Sequence, residues 1–269
     1  MLDVHPPHHA VDTWRDFFIH IATIVIGLCI AVGLEQTVEA IHHHRQRTEL
    51  TEQMRAEAEH NLPIIRESID RLQRQALYLQ SLHAALYSGK VSGTGIDVAG
   101  VVPTGGSVIF LTPSRGTWVT AQAAGLVALL PPEEAKMYAR IDFNAEQEVQ
   151  SESALYEKLR LLASECARVG YDHATTGVSH LTAAHRDDLL FQVDQVESAI
   201  ESFIRRLGLL EGGDEAVAAG VNSLDDLYPY QNAALGKLHF NSALGGFYGG
   251  QPGMTYVKPA DREGSIEQK

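Results

Sequence analysis

Cysteine is almost missing from this chain: 269 residues carry two, Cys29 and Cys166. Cys29 lies inside an apolar run and Cys166 in a polar helical stretch, so the two are not expected to meet as a disulfide, and stability must come from packing. The count leaves the redox compartment open. A basic excess is missing as well. Lys and Arg number 21 against 34 Asp and Glu, a formal charge of -13. A phosphate backbone demands the opposite surface, which excludes nucleic acid as a general partner. The first 14 residues contain no Lys or Arg, and no A-x-A pattern follows Leu34, so a cleaved signal peptide does not fit. The glycine-rich stretch 89–113 has neither G-K-[ST] nor a G-x-G-x-x-G opening a helix, so no phosphate loop is expected there.

What is present begins with FFIHIATIVIGLCIAVGL, Phe17 to Leu34, 18 residues in which His20 is the only strongly polar member. At about 1.5 Å per residue such a helix spans roughly 27 Å, close to the hydrocarbon thickness of a bilayer. A soluble core helix would show a polar face at helical spacing, and this run shows none. The reading is an uncleaved transmembrane helix over 16–41, with the lipid bilayer as its partner. Trp14 and Arg15 at one end, and His42, His43, His44, Arg45 and Arg47 past the other, suit the two interfaces. Thr23, Gly27, Ala31 and Glu35 recur every four residues, with His20 on the same face. Small residues at that spacing let two helix backbones approach, so His20, Thr23, Gly27, Ala31 and Glu35 form the expected helix-association face. His20 and Glu35 lie near the interfaces, which favours snorkelling ends over a proton path.

The stretch HPPHHAVDTWRDFFIHIATIVIGLCIAVGLEQTVEAIHHHR resembles the N-terminus of a family of uncharacterised bacterial single-pass inner-membrane proteins, an N-terminal anchor followed by a helical domain. The resemblance covers about the first 45 residues, with a weaker echo in TWVTAQAAGLVALLPPEEAKMYARI, Thr117 to Ile141. It implies bacterial origin and anchoring, and no activity or catalytic residue comes with it.

Beyond the span the chain reads as mainly α. Glu49 to Tyr87 has no glycine, and Leu62, Ile65, Ile69, Leu72, Ala76, Leu79, His83 and Leu86 alternate steps of three and four, the spacing of a coiled-coil or bundle seam. Pro63 inside that pattern predicts a kink or a restart near Asn61. Residues 42–61 are then a membrane-proximal stalk, and 62–210 an antiparallel helical bundle with a small β/loop insertion at 89–113, where a hairpin turning at Gly105-Gly106 is one expected form. Ser114 looks like the cap of a helix to about Leu130, whose Ala123-to-Leu130 end is apolar enough to be fully buried. Pro131-Pro132 opens a helix that can run to Val169, stopped by Gly170, with Tyr138, Ile141, Ala145, Leu155, Leu159, Leu162, Cys166 and Val169 facing inward. The last long helix, about Thr182 to Leu207, repeats the seam at Leu189, Val193, Val196, Ile200, Phe203 and Leu207. After Gly208, the Gly212-Gly213 pair and later glycines argue for little regular structure in an extended C-terminal region, 211–269. Its aromatics, from Tyr228 to Tyr256, nonetheless predict that part of Leu224 to Tyr256 packs on the bundle or on a neighbouring subunit.

Chemistry finds few supports. Seven of 13 histidines fall in the first 44 residues, but a spanning helix would separate His5, His8 and His9 from His42, His43 and His44, and interfacial anchoring is favoured over metal binding. Glu39-x-x-His42 and Glu57-x-x-His60 echo a di-iron element, yet both lie on one helix, about 27 Å apart. Cys166, His173, His180 and His185 have no signature around them. No catalytic, metal or cofactor site is expected, and the chain is not read as an enzyme. The expected function is that of a membrane-anchored structural or assembly protein forming a homo-oligomer, with other membrane proteins as further partners. The alternative is a ligand-sensing or regulatory domain that signals through the membrane helix. Arg45, Arg47 and Arg55 against Arg15 favour a cytoplasmic bundle, while the resemblance favours the periplasmic side.

Overall fold

A computed structural model describes residues 14–89, 113–171 and 178–238. Regular structure among them is helical throughout, with no strand: α1 (Trp14–Ser88), α2 (Gly116–Ala123), a 3-10 turn (Leu126–Leu129), α3 (Pro132–Val169), α4 (Ala183–Ala218) and α5 (Leu224–Gly236). The expected hairpin in the glycine-rich insertion and the tail beyond Leu238 lie outside the described residues. The chain divides into two compact units, Met1–Leu50 and Thr51–Lys269.

In the first unit every described side chain from Trp14 to Arg45 is exposed. An 18-residue window there reaches a mean hydropathy of 2.5, which makes this the one helix among the described residues long and apolar enough to cross a membrane. The hydroxyls of Thr23 and Thr37 donate to the carbonyls of Ile19 (2.9 Å) and Gly33 (2.7 Å), so both polar groups are satisfied within the helix itself.

The second unit holds the core. Ile65, Ile69, Leu72, Leu79 and Leu86 of α1 are buried, as are Leu189, Val193, Val196, Ile200, Phe203 and Leu207 of α4, while Leu62 is half-buried. Ser68, Asp70, Gln73 and Gln75 are buried too, so α1 is covered on more than the apolar seam. Helix directions follow from paired residues. Arg66 meets Glu211 while His83 lies 3.3 Å from Asp194, which sets α4 antiparallel to α1. Arg168 meets Asp188 while Gly213 packs on Ile141, which sets α4 antiparallel to α3. Thr51 lies by Glu134 and Tyr78 by Cys166, so α1 and α3 run parallel. The bundle is therefore antiparallel around α4 only.

Several local expectations are corrected. α1 passes through Pro63 without a restart. Pro63 and Glu59, whose carbonyl loses its donor, both face solvent, where water can satisfy it. The helix expected from Ser114 to Leu130 is an eight-residue α2 followed, after Gly125 at φ 72°, by the 3-10 turn, and Ala123 to Leu129 is exposed or half-buried, with Leu130 alone inside. α3 keeps the expected ends, with Pro132 at its start and Gly170 left-handed at φ 67° after its end.

The larger correction is at the C-terminal end. α4 continues past Leu207 to Ala218 through three glycines, and α5 follows where little regular structure was expected. Gly212 is helical because α5 crosses it closely: a Cβ there would sit 2.5 Å from Gln231 Cα and 2.7 Å from Tyr230 O. The glycines thus serve contact between helices and do not mark a break. Leu227, Gln231 and Ala234 of α5 are buried, and Gln231 Nε2 donates to Leu209 O at 3.2 Å.

Candidate functional site

A partly open cleft, with a cavity volume of about 50 Å³ and a mouth open to solvent, lies in the second unit between α1, α2, α3 and α4. α1 contributes Met54, Glu57, Ala58 and Asn61, and the start of α2 contributes Pro113, Ser114, Arg115 and Trp118. α3 adds Tyr138, Ile141, Asp142 and Ala145, and α4 adds Leu210, Asp214 and Val217. Mostly apolar walls carrying a few convergent polar groups are the usual make-up of a small-molecule site.

The mouth is held by a polar clasp. Asn61 Nδ2 donates to Ser114 O (3.0 Å) and Ser114 N–H donates back to Asn61 Oδ1 (2.7 Å). Ser114 Oγ donates to Glu57 Oε1 at 2.5 Å and accepts from Gly116 N–H at 3.2 Å. Glu57 also accepts from Thr117 N–H, 3.2 Å from both oxygens. The cap expected at Ser114 falls one residue later, on Arg115, which makes no side-chain cap bond; instead a carboxylate from α1 takes a free amide of the first turn of α2, where negative charge is favoured. Arg115 is engaged by Asp142, whose Oδ1 accepts from Arg115 Nε at 2.8 Å, and by Glu146 at 3.5 Å.

Two groups on the wall are unusual. Asp214 is 7 % exposed; burial, and then the neighbouring Glu57, push its carboxyl up to about 8 against the pull of the Asn61 hydrogen bond. Trp118 is 4 % exposed, its ring centroid is 5.8 Å from that of Tyr138, and its Nε1–H has no hydrogen-bond partner among the described residues. Burial also raises the Tyr138 phenol to about 12.

Further buried acids lie outside the cleft. Burial raises Glu148 to about 7, with Glu152 adding to the shift, and Glu197 to about 7 beside Asp194. Arg66 bridges Glu211 and Glu215 at 2.8 Å each, and Lys237 reaches Glu215 at 3.3 Å, which ties α1 and the end of α5 to α4. Cys166 is buried, and its thiol is raised to about 11, the state of a core cysteine.

The residues singled out in the sequence fall elsewhere. His20, Thr23, Gly27, Ala31 and Glu35 are all exposed, and a Cβ on Gly27 would meet nothing within 4 Å. His42, His43 and His44 are exposed, His43 lying 3.9 Å from Glu39. His5, His8, His9 and His173 lie outside the described residues, among which no group of three or more His, Cys, Asp or Glu is placed to hold a metal. Of the cleft residues, Tyr138, Ile141 and Ala145 were read as inward positions and Ser114 as a cap, but the acids escaped the sequence reading. Asp214 has no motif around it, and Glu57 attracted notice only beside His60. No family model matches the chain, and no curated protein and no solved structure matches it either.

Proposed function

We propose that this is a single-pass protein of the bacterial inner membrane that acts structurally, assembling as a homo-oligomer through its membrane helix, with the helical unit outside the bilayer on the periplasmic side. One observation carries the reading: the 18-residue apolar window of α1 has no residue buried within the chain, so its surface needs lipid or another helix to cover it. Thr23 already bonds its own helix, which leaves Gly27 and Ala31 to act sterically, by letting a second backbone approach. Mass photometry of the detergent-extracted full chain is expected to find an oligomer, and Gly27→Leu to shift it toward monomer while leaving the chain in the membrane. A wild-type monomer, or an oligomer unmoved by Gly27→Leu, refutes the reading.

A second reading, a ligand-sensing domain acting through α1 on a partner, is favoured by the cleft. α1 carries the apolar window and also four of the cleft's lining residues, Met54, Glu57, Ala58 and Asn61.

A further inference from the structure

We propose that the cleft is a binding site for a small organic cation, an ammonium on a short chain, seated by Asp214 and Glu57 against the rings of Trp118 and Tyr138. The argument starts from charge. Asp214, Glu57 and Asp142 line the cleft against a single guanidinium, Arg115, and that guanidinium is already engaged by Asp142 and Glu146. Asp214 and Glu57 are close enough to interact, and neither has an ion-pair partner among the described residues. Two neighbouring carboxylates without a cation are unfavourable in a buried site, and the empty protein relieves this by keeping the proton on Asp214. A cation would relieve it equally well, and would replace that proton.

The rest of the wall suits the same ligand. Trp118 and Tyr138 line one wall, their ring centroids 5.8 Å apart and the planes tilted by 35°, and an aromatic ring attracts an ammonium within about 6 Å of its centroid. Met54, Ala58, Ile141, Ala145 and Leu210 accept its carbons, and the small Ala58 and Ala145 leave the room. The unpartnered, 96 % buried indole N–H of Trp118 asks for an acceptor, which an ammonium bearing a hydroxyl would supply. An anion would meet the Glu57 carboxylate, with Arg115 occupied. The titratable and polar groups facing Asp214 are Glu57 and Asn61 on α1, Arg115 ahead of α2, and Tyr138 and Asp142 on α3.

The test is calorimetric titration of the detergent-solubilised full chain with choline, a quaternary ammonium that does not itself titrate. Its neutral carbon isostere 3,3-dimethylbutanol and the anion 3,3-dimethylbutyrate serve as controls. Choline is expected to bind, with the isostere weaker by about tenfold or more and the anion not binding. Affinity should rise by about tenfold from pH 6 to 7, because Asp214 must release its proton, and binding at pH 7 should release close to one proton to the buffer. Asp214→Asn, which keeps the shape of the protonated acid, is expected to lower choline affinity at least about tenfold and remove the pH dependence. Far-ultraviolet circular dichroism confirms its fold, and Glu57→Gln provides a second variant expected to weaken binding. Equal binding of choline and its isostere, preference for the anion, unchanged affinity in Asp214→Asn, or no choline binding up to about 1 mM would each overturn the proposal.

Discussion

Replacing Gly212 by alanine should separate two effects that pull in opposite directions. In an exposed helix interior Gly→Ala gains about 1 kcal/mol, because glycine loses more conformational freedom on folding. At Gly212 the added Cβ would stand 2.5 Å from Gln231 Cα, 2.7 Å from Gln231 N and 2.7 Å from Tyr230 O. All three are backbone atoms, so α5 must move as a body by about 1 Å to restore ordinary contact. That movement strains the Gln231–Leu209 hydrogen bond and loosens buried Leu227 and Ala234. Overpacking of this kind costs about 1–3 kcal/mol, more where backbone is involved, so the net loss should be about 2 kcal/mol and the melting temperature should fall by about 4–8 °C. Gly208 is an internal comparison. Its Cβ would meet Leu238 Cδ1 at 2.5 Å, a methyl that can rotate away, so Gly208→Ala should cost less. Gly236 meets nothing within 4 Å, and Gly236→Ala should be neutral or stabilising by about 0.5 kcal/mol. Thermal unfolding of the full chain in detergent, followed by far-ultraviolet circular dichroism, measures the order. A Gly212→Ala variant as stable as the parent, or less harmed than Gly208→Ala, would refute the close α4–α5 contact.

Two further outcomes rest on the buried charges. Glu148 and Glu197, raised to about 7, and Asp214, raised to about 8, hold protons in the folded state that the unfolded chain releases near pH 4; this contribution is complete below that pH and is lost as pH climbs to 7–8, by up to about 3 kcal/mol for each of the two glutamates. Melting temperature should therefore be higher at pH 5.5 than at pH 8.5, and Glu148→Gln with Glu197→Gln should flatten the slope; a flat or rising profile in the parent would contradict the burial of these acids. Arg66→Leu strands Glu211, which is 2 % exposed, and should cost about 2–3 kcal/mol in urea denaturation, most of it recovered by adding Glu211→Met; a double variant no better than the single one would remove the pair from the account.

Legibility varied with how local the determining physics is. The ends of α3 were readable because Pro131-Pro132 and Gly170 act within one helical turn. The inward positions of α3 were readable from period alone, and Tyr138, Ala145, Leu155, Leu159, Leu162 and Cys166 are buried, with Ile141 and Val169 packed beside them. The C-terminal half of α4 was not readable, because Gly208, Gly212 and Gly213 answer to side chains and backbone on other helices, and nothing in their own neighbourhood distinguishes a contact glycine from a breaker. Apolar composition misled at Ala123 to Leu129, which is short and sits at the surface of its unit. The cleft was hidden for the same reason. Glu57 meets Ser114 and Thr117 across 57 and 60 residues of chain, and Asp214 joins them from a third helix, so only the fold brings these groups together.

The central claim is that Phe17 to Leu34 spans a bilayer, and its most direct measurement is the behaviour of the full chain in isolated bacterial membranes. The account predicts that it stays in the pellet through washing with high salt and alkaline carbonate and is released only by detergent. Recovery of the intact chain in the carbonate supernatant would contradict it.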